Sequence, residues 1–170
     1  MFKKIIDFDE AYDIMEASFP ISEIRPYEKI KELYHRELMN IYGYYDPEIK
    51  GAMIIWNDDR YVVIENFAVD RAARGEGVGS KMIHEVCEQM KDKTIVLEVE
   101  KPHDDISEKR IAFYEKNGFI LSEFGYVQPK INAVVNTVPL ILMVYNKRID
   151  AEEFQEIKKM IFNSVYNETL

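Results

Sequence analysis

Apolar residues recur along this chain with two periods, and the changes of period outline its elements. Asp7 or Asp9 can cap a first helix running to about Ser18. Pro26 suits the opening turn of a second helix, with Tyr27, Ile30, Tyr34 and Leu38 at helical spacing. Strand-like segments follow at 40–46, 49–57 and 60–69, broken by Asp46-Pro47 and by Asn57-Asp58-Asp59, and these short turns predict an antiparallel meander. Beyond Gly79, the positions Val78, Met82, Ile83, Val86 and Met90 return to the helical period, and Thr94 to Val99 reads as a buried strand. A short helix over 107–117 stops at Asn117-Gly118, and Phe119 to Phe124 is extended. A polar stretch from Gly125 to Thr137 leads to a strand at Pro139 to Tyr145 and a last helix carrying Phe154, Ile157, Ile161 and Val165.

The 170 residues, 47% of them hydrophobic, can fill one core, which argues for a single domain over 1–170 and against disorder. A formal net charge of −9 gives no general electrostatic grip on nucleic acid or on an anionic membrane, so an anionic ligand needs a local basic site. The lone Cys87 offers no intramolecular disulfide, and His35, His84 and His103 show no zinc-ligand spacing, so no metal is expected. No apolar run approaches the ~18 residues of a membrane span, and the expectation is a soluble, cytoplasmic protein.

The chemistry concentrates in Val69-Asp70-Arg71-Ala72-Ala73-Arg74-Gly75-Glu76-Gly77-Val78-Gly79-Ser80, between a strand and a helix. Alternating glycines let main-chain amides approach an anion, the helix start is positively polarised, and Arg71 and Arg74 add charge. A Walker A loop is excluded because no Gly-Lys-Ser/Thr follows. A dinucleotide fingerprint fits poorly, since Asp70 to Arg74 intervene between strand and first glycine.

Val69 followed by Arg74-Gly75-Glu76-Gly77-Val78-Gly79 resembles motif A of the GCN5-related N-acetyltransferases, and Phe113-Tyr114-Glu115-Lys116-Asn117-Gly118-Phe119 resembles a later signature of the same family. The resemblance covers about residues 60–120. It implies an α/β fold of the α+β kind, with a mixed, mostly antiparallel sheet whose two central parallel strands splay apart, flanked by helices. It also implies an acyl-CoA-dependent N-acetyltransferase that takes acetyl-CoA as cosubstrate and a primary amine of a small molecule, protein or peptide as acceptor.

By that resemblance the main chain of Phe67, Ala68 and Val69 pairs with the pantetheine arm, and the amides of Arg74, Gly75, Glu76, Gly77, Val78, Gly79 and Ser80 hold the pyrophosphate. Tyr114 matches the tyrosine that protonates the CoA sulfur. Many members carry Asn seven residues before that tyrosine, for the arm, and Ala three residues further on; here these are Ser107 and Arg110, and Ser107 either takes the arm position or caps the helix. Asp104 and Asp105 read as solvated loop charges.

An alkylamine must lose a proton before it attacks, and a carboxylate can receive it. Simple alternation puts Glu65 on one strand face with Val63, Phe67 and Val69, and Glu98 with Glu100 on the neighbouring strand; family members place the base at different positions, so Glu65 and Glu98 both stand as candidates. Ser22, Glu23, Arg25, Tyr126, Gln128 and Asn132 are candidates for acceptor contact, whereas Tyr12, Phe19, Tyr27 and Tyr34 are expected in the core. The acidic balance favours a cationic acceptor. A CoA-binding regulatory or partner-binding module without turnover is the competing class. The terminal helix can pack on its own sheet or on a second subunit, which leaves a homodimer open.

Overall fold

The computed structural model describes residues 1–5, 7–21, 23–129 and 138–167. Ser22 and Asn132 lie outside them. The elements are β1 (Phe2–Lys4), α1 (Phe8–Glu16), α2 (Tyr27–His35), β2 (Asn40–Tyr45), β3 (Ile49–Asn57), β4 (Tyr61–Val69), α3 (Val78–Gln89), β5 (Thr94–Glu100), α4 (Asp105–Lys116), β6 (Phe119–Val127), β7 (Pro139–Tyr145) and α5 (Ala151–Ile161). A 3-10 turn (Arg71–Ala73) precedes α3, and a π-helical turn (Phe162–Tyr166) prolongs α5.

Seven strands form one sheet in the order β1-β2-β3-β4-β5-β7-β6. Every pairing is antiparallel except β4 with β5, which run parallel at its centre. This is the expected mixed, mostly antiparallel architecture. Helices cover both faces. Phe8, Met15, Ile30, Phe154 and Ile157 from α1, α2 and α5 bury against Ile54, Trp56, Val63 and Val96 on one face. Met82, Ile83, Val86 and Ile111 from α3 and α4 bury against Ile55, Ile64, Leu97 and Met143 on the other.

The sheet has an irregularity in β4. Opposite β3, Ile55 pairs with Ile64 but Ile54 pairs with Asn66, so Glu65 is an extra residue, a β-bulge. The bulge resets the alternation. Val63 and Ala68 contribute to the α1/α5-side core, whereas Phe67 and Val69 pack on the α3/α4 side. The expectation that Glu65 shares a face with Phe67 and Val69 is therefore corrected, because period-two counting fails across an inserted residue.

Smaller differences have local causes. Asp7 is the N-cap of α1, accepting from the Asp9 amide at 3.0 Å. Leu38 lies beyond the end of α2 and is exposed, while Leu33 takes the core position. Asp104 is no loop charge. It caps α4, accepting from the Ser107 amide at 2.8 Å, and the Ser107 hydroxyl accepts from the Asp104 amide, a reciprocal capping box in which Ser107 is not the cap. Gly118 stops α4 with φ +91°, as its position after Asn117 predicts. Gly125, Tyr126 and Val127 extend β6 past a register shift and are strand, not loop.

Candidate active site

The parallel pairing of β4 and β5 runs from Tyr61 opposite Thr94 to Ile64 opposite Leu97 and then stops. Beyond the bulge, Phe67, Ala68 and Val69 pair only with β3, which leaves their β5-facing edge outside the sheet ladder. The sheet therefore opens at the point where the glycine loop begins. Two different surfaces meet at this opening.

On the α3/α4 side stands the glycine loop. Gly75 and Gly77 have φ of +87° and +77°, which glycine adopts without strain, and a Cβ built on either meets no atom within 4 Å. Gly77 is the N-cap of α3 and provides no side-chain hydrogen bond, so the first-turn amides of Val78, Gly79 and Ser80 remain available to an anion. Gly79 differs from the other two, since its Cβ would stand 3.2 Å from Phe113 of α4. Its size lets the two helices close on each other.

Arg74 Nε donates to the Val69 carbonyl at 3.2 Å and its Nη2 to Ser18 Oγ at 3.3 Å, while Arg71 donates to the Ala17 carbonyl at 3.2 Å. Both arginines tie the loop to the end of α1, where the helix dipole is negative. Glu76, at the loop tip, is paired with Lys50 at 3.3 Å. Open glycines, uncapped amides, two arginines and an unpaired strand edge together suit a pyrophosphate with an extended amide-bearing arm.

Tyr114 lies on α4 against Phe113 and Phe119, with ring centroids 5.3 and 5.8 Å away. Burial pushes its phenol up to about 12, partly offset by Arg110, so the hydroxyl stays protonated through the neutral range. Ser107 is buried, and its hydroxyl is engaged in the α4 capping box, donating to the Asp104 carbonyl at 2.9 Å.

Across the sheet is a pocket of about 150 Å³ lined by carboxylates, Glu23, Glu65, Glu98 and Glu100, with Arg110 from α4 and Gln128 beside them. Its two central acids are held differently. Glu65 forms a buried ion pair with Arg25 and accepts from Trp56 Nε1 at 2.6 Å. Glu98 accepts from the hydroxyls of Tyr126 at 2.6 Å and Tyr166 at 2.9 Å. Burial raises the Glu98 carboxyl above the usual range, and the two tyrosine hydrogen bonds and Arg25 offset part of that rise. The same burial, with the Glu98 charge, pushes both phenols upward. Glu23 is also raised by burial, with Arg110 opposing.

Of the residues expected at the acceptor side, Glu23 and Gln128 line this pocket and Tyr126 reaches it through Glu98, while Arg25 sits one layer behind. Tyr166 was not among them. It lies in the carboxy-terminal turn, far in sequence from every motif, and only its apolar neighbours carry a sequence pattern.

Comparison with known proteins agrees with this geometry. The model of the acetyltransferase (GNAT) family matches residues 8–119. YjbC of Bacillus subtilis is 27% identical over 161 residues, covering 91% of this chain and 80% of YjbC. A solved GNAT-family structure from Bacteroides thetaiotaomicron is 30% identical, with a TM-score of 0.89 over 98% of both chains. A GNAT acetyltransferase from Elizabethkingia anophelis, solved with acetyl-CoA bound, shares the fold at 18% identity, with a TM-score of 0.61 over 85% of this chain and 96% of that one. The glycine loop, the parted central strands and these relatives lead to one assignment: the chain belongs to the GNAT family of acetyltransferases, which are acyl-CoA-dependent transferases.

Proposed function

We propose that this protein transfers the acetyl group of acetyl-CoA to a primary amine that is cationic in solution. The observation that carries the proposal is the opening between β4 and β5, with an anion cradle on one face of the sheet and a carboxylate-lined pocket on the other. A polyanionic donor and a cationic acceptor would thus reach the opening from opposite sides. The acetyl-CoA cosubstrate supplies an acetyl group activated as a thioester.

The chain would do the rest with few groups. Amides from Arg74 to Ser80 would hold the pyrophosphate, and the β5-facing edge of Phe67, Ala68 and Val69, outside the sheet ladder, would align the pantetheine arm. Main-chain N–H groups on that edge are fixed donors for charge developing on the thioester oxygen. Tyr114 would donate its phenolic proton to the departing sulfur.

Glu98 is the better proton acceptor for the incoming ammonium. Protonating Glu65 would strand the buried Arg25, whereas protonating Glu98 leaves the Arg25–Glu65 pair intact. A carboxyl whose affinity for protons is already raised by burial is also better matched to the task.

The test is release of free CoA thiol from acetyl-CoA with a panel of primary alkylamines and neutral arylamines. Turnover with alkylamines supports the proposal. Tight acetyl-CoA binding without turnover on any amine would instead support a binding module.

A further inference from the structure

The π-helical turn after α5 brings the end of the described chain back to the site. Phe162 and Val165 are buried, and Phe162 packs edge-on against both Tyr126 and Tyr166, with ring centroids 5.2 and 5.9 Å away. Arg25 clamps the turn from the other side, donating to the Val165 carbonyl at 2.6 Å while holding Glu65. Tyr166 is thereby fixed from its ring and its backbone. Its hydroxyl spans both oxygens of Glu98, at 2.9 and 3.0 Å, and accepts from Gln128 Nε2 at 3.2 Å.

We infer that the carboxy-terminal turn is a working wall of the acceptor pocket and that Tyr166 is a positioning residue, orienting the Glu98 carboxylate toward the incoming amine. The inference rests on the role proposed for Glu98. A hydroxyl shared almost equally between both carboxylate oxygens fixes the direction in which the group points, while Tyr126, bonded to one oxygen only, resists its rotation about that direction. It also stabilises the ionised form. The other charged groups around Glu98 are Arg25 behind it, Glu65 on β4, Glu100 on β5, Arg110 on α4 and Glu23 ahead of α2, and all of these remain in a Tyr166→Phe variant.

The experiment uses the full chain, as wild type and as Tyr166→Phe, which keeps the ring and its packing. Glutamate labelled with ¹³C at the carboxyl is titrated by NMR, with the Glu98 signal identified by its loss in Glu98→Gln, and acetyl transfer is followed against pH. The Glu98 midpoint should move to higher pH in Tyr166→Phe, because a donor to the charged form is gone. The acid limb of kcat/KM for the amine should move with it, turnover at neutral pH should fall roughly three- to tenfold, and KM for acetyl-CoA should not change. An unchanged midpoint would overturn the inference. A shifted midpoint with normal activity in Glu98→Gln would keep Tyr166 as the residue that holds Glu98 and would remove Glu98 as the base.

Discussion

Tyr114 and Glu65 show how two residues at one cleft can fail in different ways. Tyr114→Phe removes a hydroxyl that has no hydrogen bond among the described residues while keeping the ring contacts with Phe113 and Phe119. Turnover should fall on the order of 10²-fold with acetyl-CoA affinity nearly unchanged, as steady-state kinetics and calorimetry would register. Equal loss of affinity would make Tyr114 a packing residue. Glu65 behaves otherwise. Its side chain and that of Arg25 are 9% and 8% exposed, so Glu65→Ala leaves a guanidinium buried without its partner. Stability should drop by about 3–5 kcal/mol in urea unfolding, in a variant that lowers activity by unfolding the site and not by removing a base. A stability loss below ~1 kcal/mol would show the pair to be hydrated and weak.

Among the elements, the loop into α3 combines a conformational requirement with an electrostatic one. Gly77→Asp places a side chain at φ +77° and a negative charge beside the uncapped first-turn amides proposed to hold the pyrophosphate. CoA affinity by calorimetry should fall below detection while the melting profile stays cooperative, since nothing packs on that position. This loop was legible in the sequence because glycine spacing directly reports backbone demands. The meander of β2, β3 and β4 was legible too, through its turn residues. The bulge at Glu65 was not, because no glycine marks it and only the pairing with β3 shows that Ile54 meets Asn66. Asp104 reads as one of two loop acids because a capping box needs a partner three residues on, and the sequence offers Ser107 equally as the arm contact or as the cap itself. Tyr166 was hidden because its hydroxyl finds Glu98 across 68 residues of sequence.

Taken whole, the molecule is acidic, with a net charge of −9, yet its basic residues include Arg71 and Arg74 at the cradle loop. Donor and acceptor would therefore respond differently to salt. Attraction of a cationic amine to a pocket bearing Glu23, Glu65, Glu98 and Glu100 is screened within a Debye length of about 10 Å at 0.1 M salt. KM for an alkylamine should rise between low and high ionic strength, whereas KM for a neutral arylamine of similar size should stay level. Parallel rises for both would locate the salt effect at the donor side.

The single inserted residue of β4 also divides the molecule's evolutionary freedom. Without it, Phe67 and Val69 would project onto the same face as Glu65, and a change that suited one substrate would disturb the other. With it, the face toward the carboxylate pocket and the edge proposed for the donor belong to the same strand but can be altered separately. On the proposed reading, new acceptors can be recruited by exchanging Glu23 or Gln128 while the glycine loop and the Tyr166–Glu98 contact are left as they stand. A strand of this kind is a natural place to begin retargeting the enzyme, because its two halves can be rewritten one at a time.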